Sequence, residues 1–387
     1  MEFMITSYEQ FVPIVMGCGS MLRTGLKVRE LGCKKVLVTH GKNLKKTGYV
    51  DILVENLESA GIKAVCFDGV QPDPPDTMVE EAAEFARKEK IDGIVAIGGG
   101  SSMDTAKAIN VLINNEPPII QYLGVQKNLN PGVPLICIPT TSGTGSEVTT
   151  MTVITCTSLN KKDSVLSPVC LPTLAILDPE LTLGLSPRMT AITALDALAH
   201  AVESLTGGQA NPLSDALARE AIRLIAKWLP VAYNDGSNIK ARENLMYAST
   251  FAGMAFTNAL VHIGHSIAHV LGAQFDIPHG MACAIAMPEV IEYAAKTETE
   301  KVKMICECFG IEIDENADYE IIGATAKKTL RTFIKSVGIP NLKELGISLE
   351  DTLNIAPLVT QDSGFAIAPY RITASKVAEM LKSAYDA

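Results

Sequence analysis

The sequence predicts two domains of different class, an α/β domain over residues 1–183 and an all-helical domain over residues 184–387. Three observations predict this. A chain of 387 residues exceeds the roughly 100–200 residues of an ordinary domain. Its first half alternates short, continuously apolar runs with amphipathic stretches, the rhythm of parallel strands covered by helices. From about residue 184 that rhythm stops, and Ala- and Leu-rich helical periodicity takes over.

The elements follow in order. Val36-Leu37-Val38-Thr39 is a β-branched strand run. Residues 49–60 set Val50, Leu53, Val54 and Leu57 at helical spacing. Ala64-Val65-Cys66-Phe67 is the next strand, and residues 78–88 form a helix. Gly93 to Ile97 is a buried strand that runs into three glycines, followed by a helix over 102–113. Leu135 to Ile138 and Leu174 to Leu177 complete the strands. Ser186-Pro187 opens a long helix over 190–205. The helices after it break at Gly207-Gly208, Asn234-Asp235-Gly236, Pro278, Pro288 and Gly338-Ile339-Pro340.

Composition excludes several function classes. With 33 basic and 43 acidic residues the net charge is −10, which disfavours binding to a nucleic-acid backbone. Aromatic residues make up only 5%, with one Trp, so no single-strand stacking platform is expected. No run of 18 apolar residues suggests a membrane span. MEFMITSYEQF lacks a basic segment leading into an apolar one, so a secretory leader is not expected. The nine cysteines are scattered, and Cys306-Glu-Cys308 is not a zinc spacing. Reduced thiols in a cytoplasmic protein are the expectation.

Two loops point to a phosphate. Gly98-Gly99-Gly100-Ser101-Ser102-Met103-Asp104 joins a strand to a helix. Glycines admit close backbone approach, and a helix N-terminus offers free N–H groups to an anion. The same turn equally suits a plain βα corner. Pro139 to Glu147 follows the next buried strand and carries Thr140, Thr141 and Thr144 among its hydroxyls. Two such loops at the carboxyl ends of adjacent parallel strands suit a ligand.

The histidines point to a metal. Five of six lie between residues 200 and 279. Asp196 and His200 are four apart on one predicted helix, and His265 and His269 repeat that spacing on another. His262 lies just before His265, and His279 stands at the mouth of a further helix. No cysteine sits at these positions, so the donors are nitrogen and oxygen. Such a set suits Fe(II), Zn(II), Mn(II) or Co(II).

Taken together these residues resemble the iron-containing, group III alcohol dehydrogenase family over nearly the whole chain. The carriers are GGGSSMDTAK from Gly98, PTTSGTGSEVT from Pro139, DALAHAVE from Asp196 and HSIAHVLGAQFDIPHG from His265. The resemblance implies a Rossmann-like dinucleotide domain, a helical metal domain in the dehydroquinate-synthase-like architecture, and a cleft between them. It implies metal ligands Asp196, His200, His265 and His279, holding Fe(II) or alternatively Zn(II). Cofactor contacts are implied at Asp73, Gly98, Gly99, Gly100, Ser101, Ser102, Thr140, Thr141, Thr144, Lys162 and Leu181, and we place Asp104 with them. Phe256 falls where an aromatic often lines the nicotinamide pocket. His269 would sit near nicotinamide and substrate, as a proton relay or an orienting group.

Two departures stand out. Many NAD-dependent members have an Asp directly after the strand that ends Val38-Thr39, where this chain reads His40-Gly41-Lys42-Asn43. Small residues, donors and positive charge favour NADP(H), with NAD(H) the alternative. His262 stands where Gly is common, as a spare ligand, a substrate contact or a packed residue.

The implied activity is oxidation of a short primary alcohol or diol, or reduction of the matching aldehyde. A divalent ion lowers the pKa of a hydroxyl, and nicotinamide exchanges the hydride. A dehydroquinate-synthase-like lyase or a polyol or sugar-phosphate dehydrogenase is the alternative, disfavoured by the scarcity of basic residues near the predicted site. The apolar, small-residue segment Gln361 to Pro369 suits an uncharged substrate. A homodimer is the default assembly.

Overall fold

The structure is a computed structural model and describes residues 6–158 and 161–387. It divides into two compact units, one spanning Gln10–Gly184 and the other Leu185–Ala387 with the segment that ends at Glu9.

The first unit is built on a sheet of six strands. They are β1 (Ile14–Met16), β2 (Lys35–Gly41), β3 (Lys63–Val70), β4 (Gly93–Gly98), β6 (Leu135–Pro139) and β9 (Leu174–Leu177). The order is β1-β9-β6-β4-β2-β3, and every pairing is parallel. Its connections carry the helices α1 (Thr24–Glu30), α2 (Lys42–Lys45), α3 (Tyr49–Ser59), α4 (Asp76–Glu89) and α5 (Gly100–Ile113).

The apolar runs are continuous because successive strand side chains enter opposite cores. Leu37, Ile94, Ala96, Leu135 and Cys137 pack on one face with Val79, Ala83 and Ile109. Val36, Val38, Val95, Ile97, Ile136 and Ile138 pack on the other with Val28, Val50, Leu53 and Leu57. The chain runs outward from β2 to β3 and then returns to the far side of β2 as β4. The order in which strands are added therefore reverses between β2 and β4, and in such sheets ligands are taken at the carboxyl ends of the strands at that point.

A second, three-stranded sheet departs from the expected set of parallel strands. It joins β5 (Gly124–Val125), β7 (Met151–Cys156) and β8 (Lys161–Leu166), with β7 and β8 antiparallel. Its strands are short and half-exposed, with polar residues such as Lys161, Lys162 and Asp163. The apolar signal that marks the central strands is therefore weak there.

Among its described residues the second unit is helical. It comprises α6 (Pro187–Thr206), α7 (Pro212–Asn234), α8 (Ile239–Ala259), α9 (Ile263–Phe275), α10 (His279–Ala294), α11 (Thr299–Cys308) and α12 (Tyr319–Ser336). The short α13 (Leu349–Asn354), α14 (Ala356–Val359) and α15 (Ser363–Ala366) precede α16 (Ala374–Ala384). Side-chain caps set several starts. Ser186 caps α6, with Pro187 in its first turn. Asn211 and Ser214 form a reciprocal capping box on α7. α6 is almost wholly buried, which makes it the central helix against which α7, α8 and α10 pack.

One expected break fails. Pro288 lies inside α10 and is buried there. Its missing N–H removes one intrahelical bond. Buried neighbours such as Met287, Val290 and Ile291 hold the helix through that position. No helix among the described residues is long and apolar enough to cross a membrane.

Candidate metal and dinucleotide sites

Three helices assemble the candidate metal cluster. α6 carries Asp196, His200 and Glu203, four and three residues apart and so on one face. α9 carries His265 and His269, and α10 opens at His279. A glycine lets α10 reach α6. A Cβ on Gly280 would lie 2.2 Å from the Ile192 carbonyl oxygen and 3.0 Å from Asp196 Cβ. That approach sets His279 Nε2 3.4 Å from Asp196 Oδ1.

Donor atoms of Asp196, His265, His279 and Cys283 all lie within 4.8 Å of one another. Three of these are expected ligands. Cys283 is a fourth donor that the sequence reading did not include. Cys283 follows His279 by one helical turn, so the same face of α10 presents both. The fourth expected ligand, His200, is not in that donor group, although its ring stacks 4.4 Å from Phe256 and 4.8 Å from His265.

The donors fit a divalent cation. Asp196 Oδ1 and His265 Nε2 are buried and have no nitrogen or oxygen partner among the described residues. Such atoms are costly unless an ion or water meets them. Burial opposes ionisation of Asp196, but the adjacent His200, His279 and His265 hold its carboxyl below the usual range. Burial pushes the Cys283 thiol up to about 11.

Glu203 organises the site from behind, and the sequence reading missed it. Its carboxylate accepts the backbone N–H groups of His262 at 3.0 Å, His265 at 3.3 Å and Gly264. It also accepts His265 Nδ1–H at 2.6 Å. That bond fixes the tautomer that leaves His265 Nε2 for a metal. Burial alone would raise the Glu203 carboxyl, but His262, His265 and these donors hold it at about 2. His262 is buried, with Nε2 3.1 Å from the Thr206 hydroxyl, which supports the packing role for it.

A second carboxylate orients His269. Asp362 Oδ2 lies 3.0 Å from His269 Nδ1, and Oδ1 accepts the Ser266 hydroxyl at 2.8 Å and the Gly364 N–H at 2.9 Å. Burial would raise Asp362, but the hydrogen bond and charge of His269 lead the groups that hold it at about 2. His269 is 44% exposed, and its ring stacks 5.5 Å from that of His279. Ninety-three residues separate the pair, so no sequence spacing announces it.

The two loops expected to hold a phosphate meet in the first unit. Gly98 has φ +150°, and a Cβ there would fall 2.3 Å from Ser102 Oγ. Cβ atoms on Gly99 and Gly100 would meet Thr141 at 3.3 Å and Thr144 at 2.7 Å. The two loops therefore touch, and no side chain caps the start of α5. The Thr140 N–H donates to the Gly98 carbonyl at 2.9 Å. This glycine cradle at a helix start fits a pyrophosphate.

The remaining expected contacts scatter. Asp73 and Lys162 form an ion pair at 2.8 Å. Leu181 is buried in the core under the sheet. Both Asp104 oxygens are taken, by Ser146 Oγ at 2.9 Å and the Val153 N–H at 3.3 Å. Burial leads the causes that raise its carboxyl to about 6. Lys107, also missed, is fully buried and donates to Thr149 O, Thr149 Oγ1 and Met151 O, each at 2.9 Å. His40 is wholly buried at the end of β2, and burial lowers its pKa, whereas Lys42 and Asn43 begin α2.

Comparison with known proteins follows the same division. The iron-containing alcohol dehydrogenase model matches residues 12–179, and the family's carboxyl-terminal model matches residues 190–385. The 1,3-propanediol dehydrogenase of Citrobacter freundii is 39% identical over 98% of this chain and 99% of its own. The NAD-dependent methanol dehydrogenase of Bacillus methanolicus is 36% identical over 97% of this chain and 99% of its own. A crystal structure of 1,3-propanediol oxidoreductase superposes with a TM-score of 0.94 at 37% identity, covering 98% of this chain and 100% of that one.

Proposed function

The chain belongs to the iron-containing alcohol dehydrogenase family, and from that premise we propose which residues carry its reaction and what it acts on. It is an alcohol dehydrogenase, and membership implies a divalent metal and a nicotinamide dinucleotide. The lyase alternative is not favoured, because the matched relatives are alcohol dehydrogenases.

The observation that supports Asp196, His265 and His279 is the convergence of their donor atoms from α6, α9 and α10, and His200 is added from the family resemblance, its ring 4.8 Å from that of His265. Asp196, His200, His265 and His279 are the proposed ligands. When bound, the metal supplies Lewis acidity toward the substrate oxygen and the nicotinamide exchanges a hydride. Glu203 keeps His265 in its ligating tautomer. Asp362 holds the His269 ring, with Nδ1–H donated to it. His269 Nε2 is then the nitrogen that takes the alcohol proton and hands it to solvent.

The backbone of Gly98 to Ser102, with Thr140, Thr141 and Thr144, holds the pyrophosphate. The Asp73–Lys162 pair is a further contact surface for the dinucleotide. Asp104 acts by anchoring the loop after β6 to α5. NADP(H) is the proposed dinucleotide, because His40 stands where a ribose-binding Asp is common and Lys42 and Asn43 follow it at the start of α2. His40 contributes shape there rather than charge, since its ring is buried. The proposed substrate is a short primary alcohol, diol or aldehyde, supported by relatives that act on 1,3-propanediol and methanol. A cytoplasmic homodimer is proposed on the nine free thiols and the commonness of two-fold assemblies.

The test is an initial-rate assay after anaerobic loading with Fe(II) or Zn(II), using short aldehydes with NADPH and NADH in parallel. Metal-dependent turnover faster with NADPH supports the whole reading. Faster turnover with NADH removes the dinucleotide assignment alone. No turnover by protein holding one metal per chain removes the substrate assignment.

A further inference from the structure

The four donor atoms that converge in the second unit are not the four that the family resemblance names. Asp196, His265 and His279 are common to both sets, and Cys283 is the addition. Its side chain is buried, and Sγ lies 3.6 Å from His279 Nε2. Position on the helix explains this. Four residues after His279, Cys283 projects from the same face of α10 toward α6 and α9.

Two independent atoms point to an occupant. Asp196 Oδ1 and His265 Nε2 are each buried with no nitrogen or oxygen partner among the described residues, and the Cys283 thiol is a group that reaches both residues. A carboxylate oxygen of Asp196 and a ring nitrogen of His265 lie within 4.8 Å of Cys283 Sγ. A cation that satisfies them is therefore within reach of the sulfur as well.

We propose that Cys283 Sγ is a direct ligand of the metal, making this a carboxylate, imidazole and thiolate site. The inference rests on the metal-site reading above. As the sulfur–metal bond forms, the thiol proton leaves to solvent. The thiolate and Asp196 then supply two negative charges to a divalent ion. A soft thiolate favours Zn(II) and Co(II) over the harder Mn(II). This chain's site consequently takes up thiophilic ions more tightly than one with only oxygen and nitrogen donors.

The test uses full-length apoprotein loaded with one equivalent of Co(II) or Zn(II), as wild type, Cys283→Ser and Cys283→Ala. Wild-type protein is expected to show a sulfur-to-cobalt charge-transfer band in the near ultraviolet. X-ray absorption of the zinc form is expected to show a sulfur scatterer at about 2.3 Å. Both signals vanish in either variant, while one metal per chain is still bound about tenfold or more weakly. One cobalt per chain in wild type with no such band overturns the thiolate and leaves the metal site standing. A band that persists in Cys283→Ser also overturns it, since another of the nine cysteines is then the source. If wild type binds neither ion, the thiolate and the metal-site reading both fall.

Discussion

Replacing Glu203 with Gln removes one negative charge without changing shape, and the geometry sets the cost. Four N–H groups converge on its two oxygens, from His262, Gly264, His265 and the His265 ring. An amide keeps one oxygen, which accepts two of them, and turns an NH2 group toward the others. Two buried donors are then orphaned, at about 1–3 kcal/mol each, for about 2–6 kcal/mol in all. That is a large part of the roughly 5–15 kcal/mol that holds a native protein together. The side chain cannot move aside to relieve this, because Gly264 packs directly on it. A Cβ on Gly264 would lie 2.2 Å from Glu203 Oε1. Loss of the Nδ1–H bond also frees the His265 tautomer, with an expected 10–100-fold fall in metal affinity, to order of magnitude. Denaturant unfolding followed at Trp228, the single tryptophan and a residue of α7, reports the stability of this unit. Competition with a chromophoric chelator reports the affinity. Retention of wild-type stability within about 1 kcal/mol, together with unchanged affinity, would refute the reasoning.

Three further outcomes are expected. Gly280→Ala forces α10 off α6, lowering stability by about 1–3 kcal/mol and weakening metal binding; an unchanged melt and metal content would exclude this close contact. Asp362→Asn leaves the metal in place but slows turnover and shifts its pH profile, because His269 loses its charged partner; a profile identical to wild type would remove His269 from proton transfer. Asp362 also predicts a pH window. Its pKa is about 2 in the folded chain, below an ordinary carboxyl, so its stabilisation is present above about pH 4 and is lost as pH falls toward 2. The stability difference between wild type and Asp362→Asn should therefore shrink over that range, and a constant difference would contradict it.

Much of this molecule was legible in its sequence. Within one element, side-chain direction follows from spacing alone, with a period of two in strands and 3.6 in helices. That is why the runs around Leu37, Ile94 and Ile136 read as buried parallel strands, and why Asp196 with His200 and His265 with His269 read as shared faces. The change of texture near residue 184 marks where sheet patterning ends, and the units divide between Gly184 and Leu185. β8 escaped because KKDSVL is largely polar, and β7 because the threonines of MTVITC interrupt its apolar run.

What tertiary structure alone decided is how those faces meet. Glu203 could be named as lying on the face of Asp196, but not as the acceptor of three backbone N–H groups from another helix. Asp362 reaches His269 across 93 residues, and Cys283 enters the donor cluster only because Gly280 brings α10 onto α6. The physical reason is range. Local periodicity fixes where a side chain points on its own element. Which groups share a space depends on how closely backbones pack, and that is set by glycines and buried side chains far apart in the chain.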